Sequence, residues 1–399
     1  MSIMQNPNVK YLKTPQGDIA VFSLEHNRLW CRRQTSDGRY TPFCIAEGVS
    51  AFSLCQYESY TYLLYPTTDG RLILSASSDL MQWEPRPLWQ AGDKRWQNTY
   101  CFMAPQKDAF HLFYGVSQPQ SGNHILEYAL FQKGQWQPPY QIDHFLPLPG
   151  APFLGRRLGE NHVILYYRSH RSTISAREIL LSPFTLGSLS PLIQTGGTCT
   201  DFSILEDNQQ MHIFYLSRNL FRNQVVYRCK QGSAVGRPFV LWESGSACDH
   251  CLVYRQQDKI ILFWCANGLP MRCICENGTS IGPVERCTFP FPLQSLKGEF
   301  IGASDPFASE AIGDRQNNFH PAIFSENTQP LSQPQLYAAS APSQVREEKN
   351  DELEELRTLL SQRSEEISAV NAKWKAQVDA LQERLAAYEK SEPIENDTP

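Results

Sequence analysis

Ten polar residues recur at two kinds of place along the chain. Asn98, Asp201, Asp249 and His250 stand where short apolar strands begin, and Arg168, His170, Arg171, Arg218, Asn219 and Arg222 stand in two strand-to-strand turns. If those beginnings and turns share one rim, the arginines and the histidine form a clamp for an anionic small ligand or a glycan, because a guanidinium offers a fork that matches carboxylate geometry. Asp201 and Asp249 would be the carboxyl groups to test for glycoside hydrolysis, which needs two of them about 5 to 10 Å apart. The competing reading makes Asp201 and Asp249 caps for backbone amides and the arginines ordinary surface charge. No catalytic residue can be assigned from spacing. His111, His162 and His212 lie in or beside apolar strands and are expected to be structural.

Twelve cysteines raise two further chemistries. Cys248 and Cys251 have the two-residue gap of a zinc knuckle, with Cys273 and Cys275 available to complete a site. Cys273 and Cys275 alternate on a strand, however, and Cys265 ends an apolar run. These positions fit thiols packed as small hydrophobes, and neither a metal nor a cofactor is expected.

The elements that must position these residues repeat. Pro42, Pro87, Pro139, Pro191, Pro238 and Pro283 are separated by 45, 52, 52, 47 and 45 residues, the period of a propeller blade. Proline cannot donate to a ladder and so belongs on an edge strand. A second register, Phe52, Tyr100, Phe153, Phe202 and His250, recurs at 48, 53, 49 and 48 residues. An apolar strand such as Val163–Tyr167 or Ile260–Trp264 follows each of these, and then a strand of period-two alternation such as Gln224–Arg228. The pattern predicts an all-β, six-bladed β-propeller of four-stranded antiparallel blades over residues 1–303. Radial packing buries both faces of every sheet. In that fold, inner-strand starts and second-to-third turns lie on one face of the disc, around the channel mouth.

Beyond the ring the composition changes. Residues 304–345 are rich in proline, serine and glutamine and read as a flexible linker. In 346–390, Leu353, Leu360, Ile367, Trp374, Leu381 and Tyr388 recur every seven residues, which predicts an α-helical coiled coil ahead of a disordered tail, 391–399. Residues 346–399 hold 8 basic and 14 acidic side chains, a net of −6, so with a total of −5 the rest of the chain carries +1. A nearly neutral ring argues against nucleic acid as a partner. No run approaches 18 apolar residues and the first residues lack the pattern of a signal peptide, so no membrane partner and a cytoplasmic location are expected.

Two segments carry a resemblance. Ser77-Ser78-Asp79-Leu80-Met81-Gln82-Trp83-Glu84 resembles a turn of propeller glycosidases and, loosely, the Asp-box of sialidases. That resemblance implies a structural turn whose serine and aspartate bond the local backbone while the tryptophan packs between blades. His124–Tyr128 with Gln135-Trp136 resembles a blade of the six-bladed fucose lectins of fungi, which implies the same fold and a glycan ligand. Three functions stay open: a non-catalytic binding or scaffold protein joined into oligomers by its coiled coil, a glycoside hydrolase or sialidase-like enzyme, and a purely structural interaction module.

Overall fold

The computed structural model describes residues 9–14, 17–34, 40–89, 100–118, 122–148, 152–207, 209–220, 222–276, 278, 280–287, 295–302, 307–314, 320–321, 374, 377–378 and 380–382. By chain contacts it divides into two units, 1–332 and 333–399.

The first unit is built on six sheets, each centred on an antiparallel meander. Blade 1 is Val9–Lys13, Ile19–Glu25, Arg28–Gln34 and Tyr40–Glu47 from the inner to the outer strand. Blades 2 to 6 follow at 53–89, 101–145, 154–194, 198–244 and 248–286, each a meander of the same kind. Six buried clusters, one at each contact between neighbouring sheets including the sixth against the first, show that the ring is closed. Second strands such as His162–His170 are buried from Val163 to Tyr167, as a strand covered on both faces must be.

The six prolines take the outer position. Pro42, Pro87, Pro191 and Pro283 lie within outer strands. Pro139 and Pro238 fall between two short outer segments that pair with the same third strand, as in blade 3 with Gln135–Trp136 and Tyr140–Phe145. A residue without an N–H interrupts the ladder there and protects an edge.

One expectation is corrected. The linker placed from residue 304 begins too early, because Phe307–Ala308, Glu310–Asp314 and His320–Pro321 are strands of the first unit. Ala308, Ala311 and Ile312 are buried, and burial of this short apolar run outweighs the polar composition around it. Together with Ser295–Ile301, these strands form a clasp. Ser295–Ile301 runs parallel to the first strand of blade 1, with Lys10 opposite Glu299 and Tyr11 opposite Phe300. Glu310–Asp314 pairs antiparallel on its inner side, and Phe307–Ala308 pairs with the inner strand of blade 6. The ring is therefore joined by C-terminal strands lying inside both of its ends.

In the second unit, the described residues 374, 377, 378 and 380–382 are helical, and Trp374, Val378 and Leu381 are exposed. The remainder of the expected coiled coil lies outside the described residues.

Candidate functional site

Of the ten polar residues, Asn98 lies outside the described residues, and the other nine stand at inner-strand starts and at second-to-third turns. Their surroundings divide them. Asp201 sits at a bulge in the inner strand of blade 5 and accepts from the Phe202 N–H at 2.8 Å and the Cys251 N–H at 3.0 Å. Lys297 of the clasp donates to the same carboxylate at 2.8 Å and stands 3.2 Å from Glu310. Burial pushes the Glu310 carboxyl up, and Lys297 opposes that shift. The mouth of the channel at Asp201 thus receives a cation from the protein itself.

Arg168 is half-buried and donates to the carbonyls of Cys199 and Pro147, tying blade 4 to blade 5 and to the preceding loop. Asp249 has its carboxyl raised by burial, with the Asp201 charge adding and His250 opposing. His250 has a φ of 53° beside a bulge. His170 and Arg171 are exposed in one turn. Arg218, Asn219 and Arg222 are exposed in another, where the Asn219 side chain accepts from the Arg222 N–H at 3.1 Å and Arg222 pairs with Glu243. Asn219 and Arg222 are thus engaged in pairings of their own turn.

His111 and His212, within second strands, are held by tyrosines, while His162 lies 3.7 Å from Glu178. His111 Nδ1 is 2.9 Å from the Tyr128 hydroxyl and its Nε2 is 3.1 Å from Gln106, and burial lowers its pKa to about 4. His212 Nδ1 lies 2.7 Å from the Tyr227 hydroxyl. Cys251 and Cys273 are buried and donate to the carbonyls of Phe214 and Gly282. Among the described residues no group of three His, Cys, Asp or Glu side chains is placed to hold a metal. The 77–84 turn has the expected form: Asp79 Oδ1 accepts from the N–H groups of Met81 and Gln82 at 2.8 and 2.9 Å. Trp83 meets Phe22 of blade 1 edge-on at 6.0 Å.

A concavity that sequence reasoning missed opens at a second-to-third turn. It encloses about 540 Å³ and is lined by Glu25, His26, Arg28, Trp30, Arg32 and Pro42 of blade 1. A two-residue turn with φ of 52° at His26 and 61° at Asn27 joins the second and third strands. Positive φ at both central positions is the type I′ signature that fits strand twist. It sets Glu25 opposite Arg28 and Ser23 opposite Trp30, so alternation puts Ser23, Glu25, Arg28, Trp30 and Arg32 on one surface. Val21, on that same surface, packs against blade 6, so the concavity faces the seam between the last blade and the first.

Inside it, Arg32 donates to Glu25 at 2.7 Å and to Ser23, and Ser23 donates to Glu25 at 2.7 Å. Arg32 is buried while Trp30 and Glu25 are half-buried, and Arg28 at the mouth pairs with Glu47 at 3.1 Å. The result is an indole beside a carboxylate and a guanidinium fixed by each other. The signal available in sequence was Ser23-x-Glu25 followed by Arg28-x-Trp30-x-Arg32, polar groups at period two on both sides of a turn.

No protein-family model and no curated protein matches the chain. Among solved structures, it is similar to Aleuria aurantia lectin in complex with alpha-methyl-L-fucoside, with 12% identity over 70% of this chain and 95% of that one and a TM-score of 0.46. The BP39L lectin from Burkholderia pseudomallei gives 14% identity, 71% and 95% coverage and a TM-score of 0.44. A GH43 endo-arabinanase from Bacillus licheniformis gives 12%, 61%, 95% and 0.34. The strand pairing, and not these likenesses, establishes a six-bladed propeller.

Proposed function

We propose that the chain is a non-catalytic binding protein whose propeller takes a carbohydrate in the blade 1 concavity. The observation that carries the reading is the placement of Trp30 beside the Arg32–Glu25 pair in an open depression. A pyranose has an apolar C–H face and a rim of hydroxyls. An aromatic ring takes the first, and preformed charged donors and acceptors take the second. Among the described residues, Glu25 is the carboxylate that lines the concavity, and its tie to Arg32 suits orientation of a hydroxyl. Hydrolysis would call for a second carboxyl group across the bond to be cleaved.

The sevenfold apolar repeat over 346–390, approached through a linker, supports a second part of the proposal. Self-association there would join propellers so that weak sites act together by avidity.

The test is calorimetric titration of the full chain with alpha-methyl-L-fucoside and a panel of other methyl glycosides. Binding that falls at least tenfold in Trp30→Ala supports the reading. Binding left intact by Trp30→Ala, or release of the aglycone from aryl glycosides, overturns it. Light scattering showing a monomeric full chain would remove the avidity component alone.

A further inference from the structure

We propose that the concavity and the C-terminal clasp are two halves of one coupled equilibrium: closing the seam between blades 6 and 1 builds the binding wall, and a bound ligand holds the clasp shut. The ligand half of this inference rests on the carbohydrate reading, whereas the mechanical half stands without it.

Five of the six contacts around the ring join blades that follow one another in the chain. The contact between blade 6 and blade 1 joins its ends. That contact is also where the clasp packs: Phe300, Ala311 and Ile312 are buried in one cluster with Val21 of blade 1 and with Leu252 and Phe263 of blade 6. Among the described residues, no other inter-blade cluster draws a fully buried side chain from the clasp. Truncating Phe300 or Ile312 would therefore open a cavity in this seam, while the clasp's other contacts, Ile301 with the blade 1–blade 2 cluster and Lys297 and Ser309 with blade 5, remain.

Val21 connects that packing to the site. It stands opposite Arg32 in the ladder and two residues before Ser23, the hydroxyl that Arg32 grips together with Glu25. The guanidinium that orders the wall is thus the cross-strand neighbour of Val21, which shares a buried cluster with the clasp. The clasp itself is held by charges, Lys10 with Glu299 and Lys297 with Asp201 and Glu310. Such contacts form or fail together with the strands that carry them, so the seam is the place where local opening would expose both the clasp and the wall. A ligand bound only by the ordered wall must stabilise the closed seam, and by linkage a loosened clasp must weaken the ligand by the same factor.

Hydrogen exchange on the full chain decides both halves. Without ligand, Phe300→Leu and the milder Ile312→Val should speed exchange in residues 19–34 and 295–314 several-fold while leaving residues 124–145 of blade 3 at their wild-type rates. Uniform acceleration, or none at residues 19–34, overturns the proposal whatever the ligand does. With saturating alpha-methyl-L-fucoside, exchange in 295–301 and 310–314 should slow several-fold in the wild type and not in Trp30→Ala. Sugar binding that leaves clasp exchange unchanged overturns the coupling and spares the carbohydrate reading. Failure of the wild type to bind the sugar counts against that reading alone, because the ligand-free arm still decides the seam.

Discussion

Two clefts of the ring use the same device to opposite ends. The third strands of blade 1 and blade 4 each place an arginine toward the preceding blade: Arg32, opposite Val21 in its ladder, and Arg177, opposite Leu165. Arg177 meets Asp143 on the outer strand of blade 3, with contacts at 2.7 and 2.8 Å, and Tyr167 donates to the same carboxylate. The acid comes from the neighbour, so the pair crosses the cleft and seals it. Arg32 meets Glu25 from its own blade, beside the concavity that Trp30 lines. The acid comes from the neighbouring blade at Arg177 and from the same blade at Arg32.

The comparison is broken most severely by Asp143→Ala. Only 12% and 15% of the Arg177 and Asp143 side chains are exposed, and truncating one partner of a buried pair leaves a charge without compensation, typically at 3–5 kcal/mol. Urea unfolding should show a loss of about 3 kcal/mol with carbohydrate affinity retained in the folded fraction. A loss below about 1 kcal/mol would show that the pair is not holding the two blades together.

Glu25→Gln should give the reverse pattern. Ser23 still supports Arg32, and the exchange keeps the volume of the side chain, so stability should fall by about 1 kcal/mol. Binding measured by calorimetry should weaken about tenfold, or about 1.4 kcal/mol, because the acceptor charge facing the ligand is lost. Equal effects on folding and binding would erase the distinction between the two clefts.

Much of this contrast lies beyond what a linear reading can deliver. The prolines and the Ser77–Trp83 turn announce the ring because each acts locally, one by lacking a donor and the other by bonding its own backbone. The wall of the open site has no such local mark. Glu25 and Arg32 become partners only through the register of a hairpin whose turn, His26-Asn27, lacks the usual glycine. Lys297 was harder still: its partners Asp201 and Glu310 come from blade 5 and from the clasp, and a parallel strand inside the channel leaves no turn signal. Asp201 was legible as a group at the channel mouth, and its role as a backbone cap was the competing reading of the same residue.

Acid should unsettle the closed cleft through a group absent from the open one. His111 packs by its ring against Tyr128 in the blade 3–blade 4 core, and burial, with Arg157 adding, lowers its pKa from 6.5 to about 4. Between those values the unfolded chain binds the proton more readily than the folded one, so this contribution to stability is complete above about pH 6.5 and is lost as the pH falls toward 4. His111→Gln, which keeps a hydrogen-bonding side chain, should flatten the slope of unfolding free energy across that window. An unchanged slope would assign the acid sensitivity to other groups.

The smallest expected effect sharpens the comparison at the mouth of the open cleft. Arg28 and Glu47 form an ion pair whose side chains are 53% and 68% exposed, a setting in which such pairs contribute about 0 to 1 kcal/mol. Arg28→Ala should leave the urea midpoint nearly unchanged, yet Arg28 lines the concavity and would meet any ligand that extends outward from Trp30. A two- to threefold change in affinity for a disaccharide, with none for the monosaccharide, would place the second sugar unit over Arg28 and define the direction in which a glycan leaves the site. Equal changes for both would move Arg28 into the primary contact and leave Trp30 as a wall rather than the floor of the site.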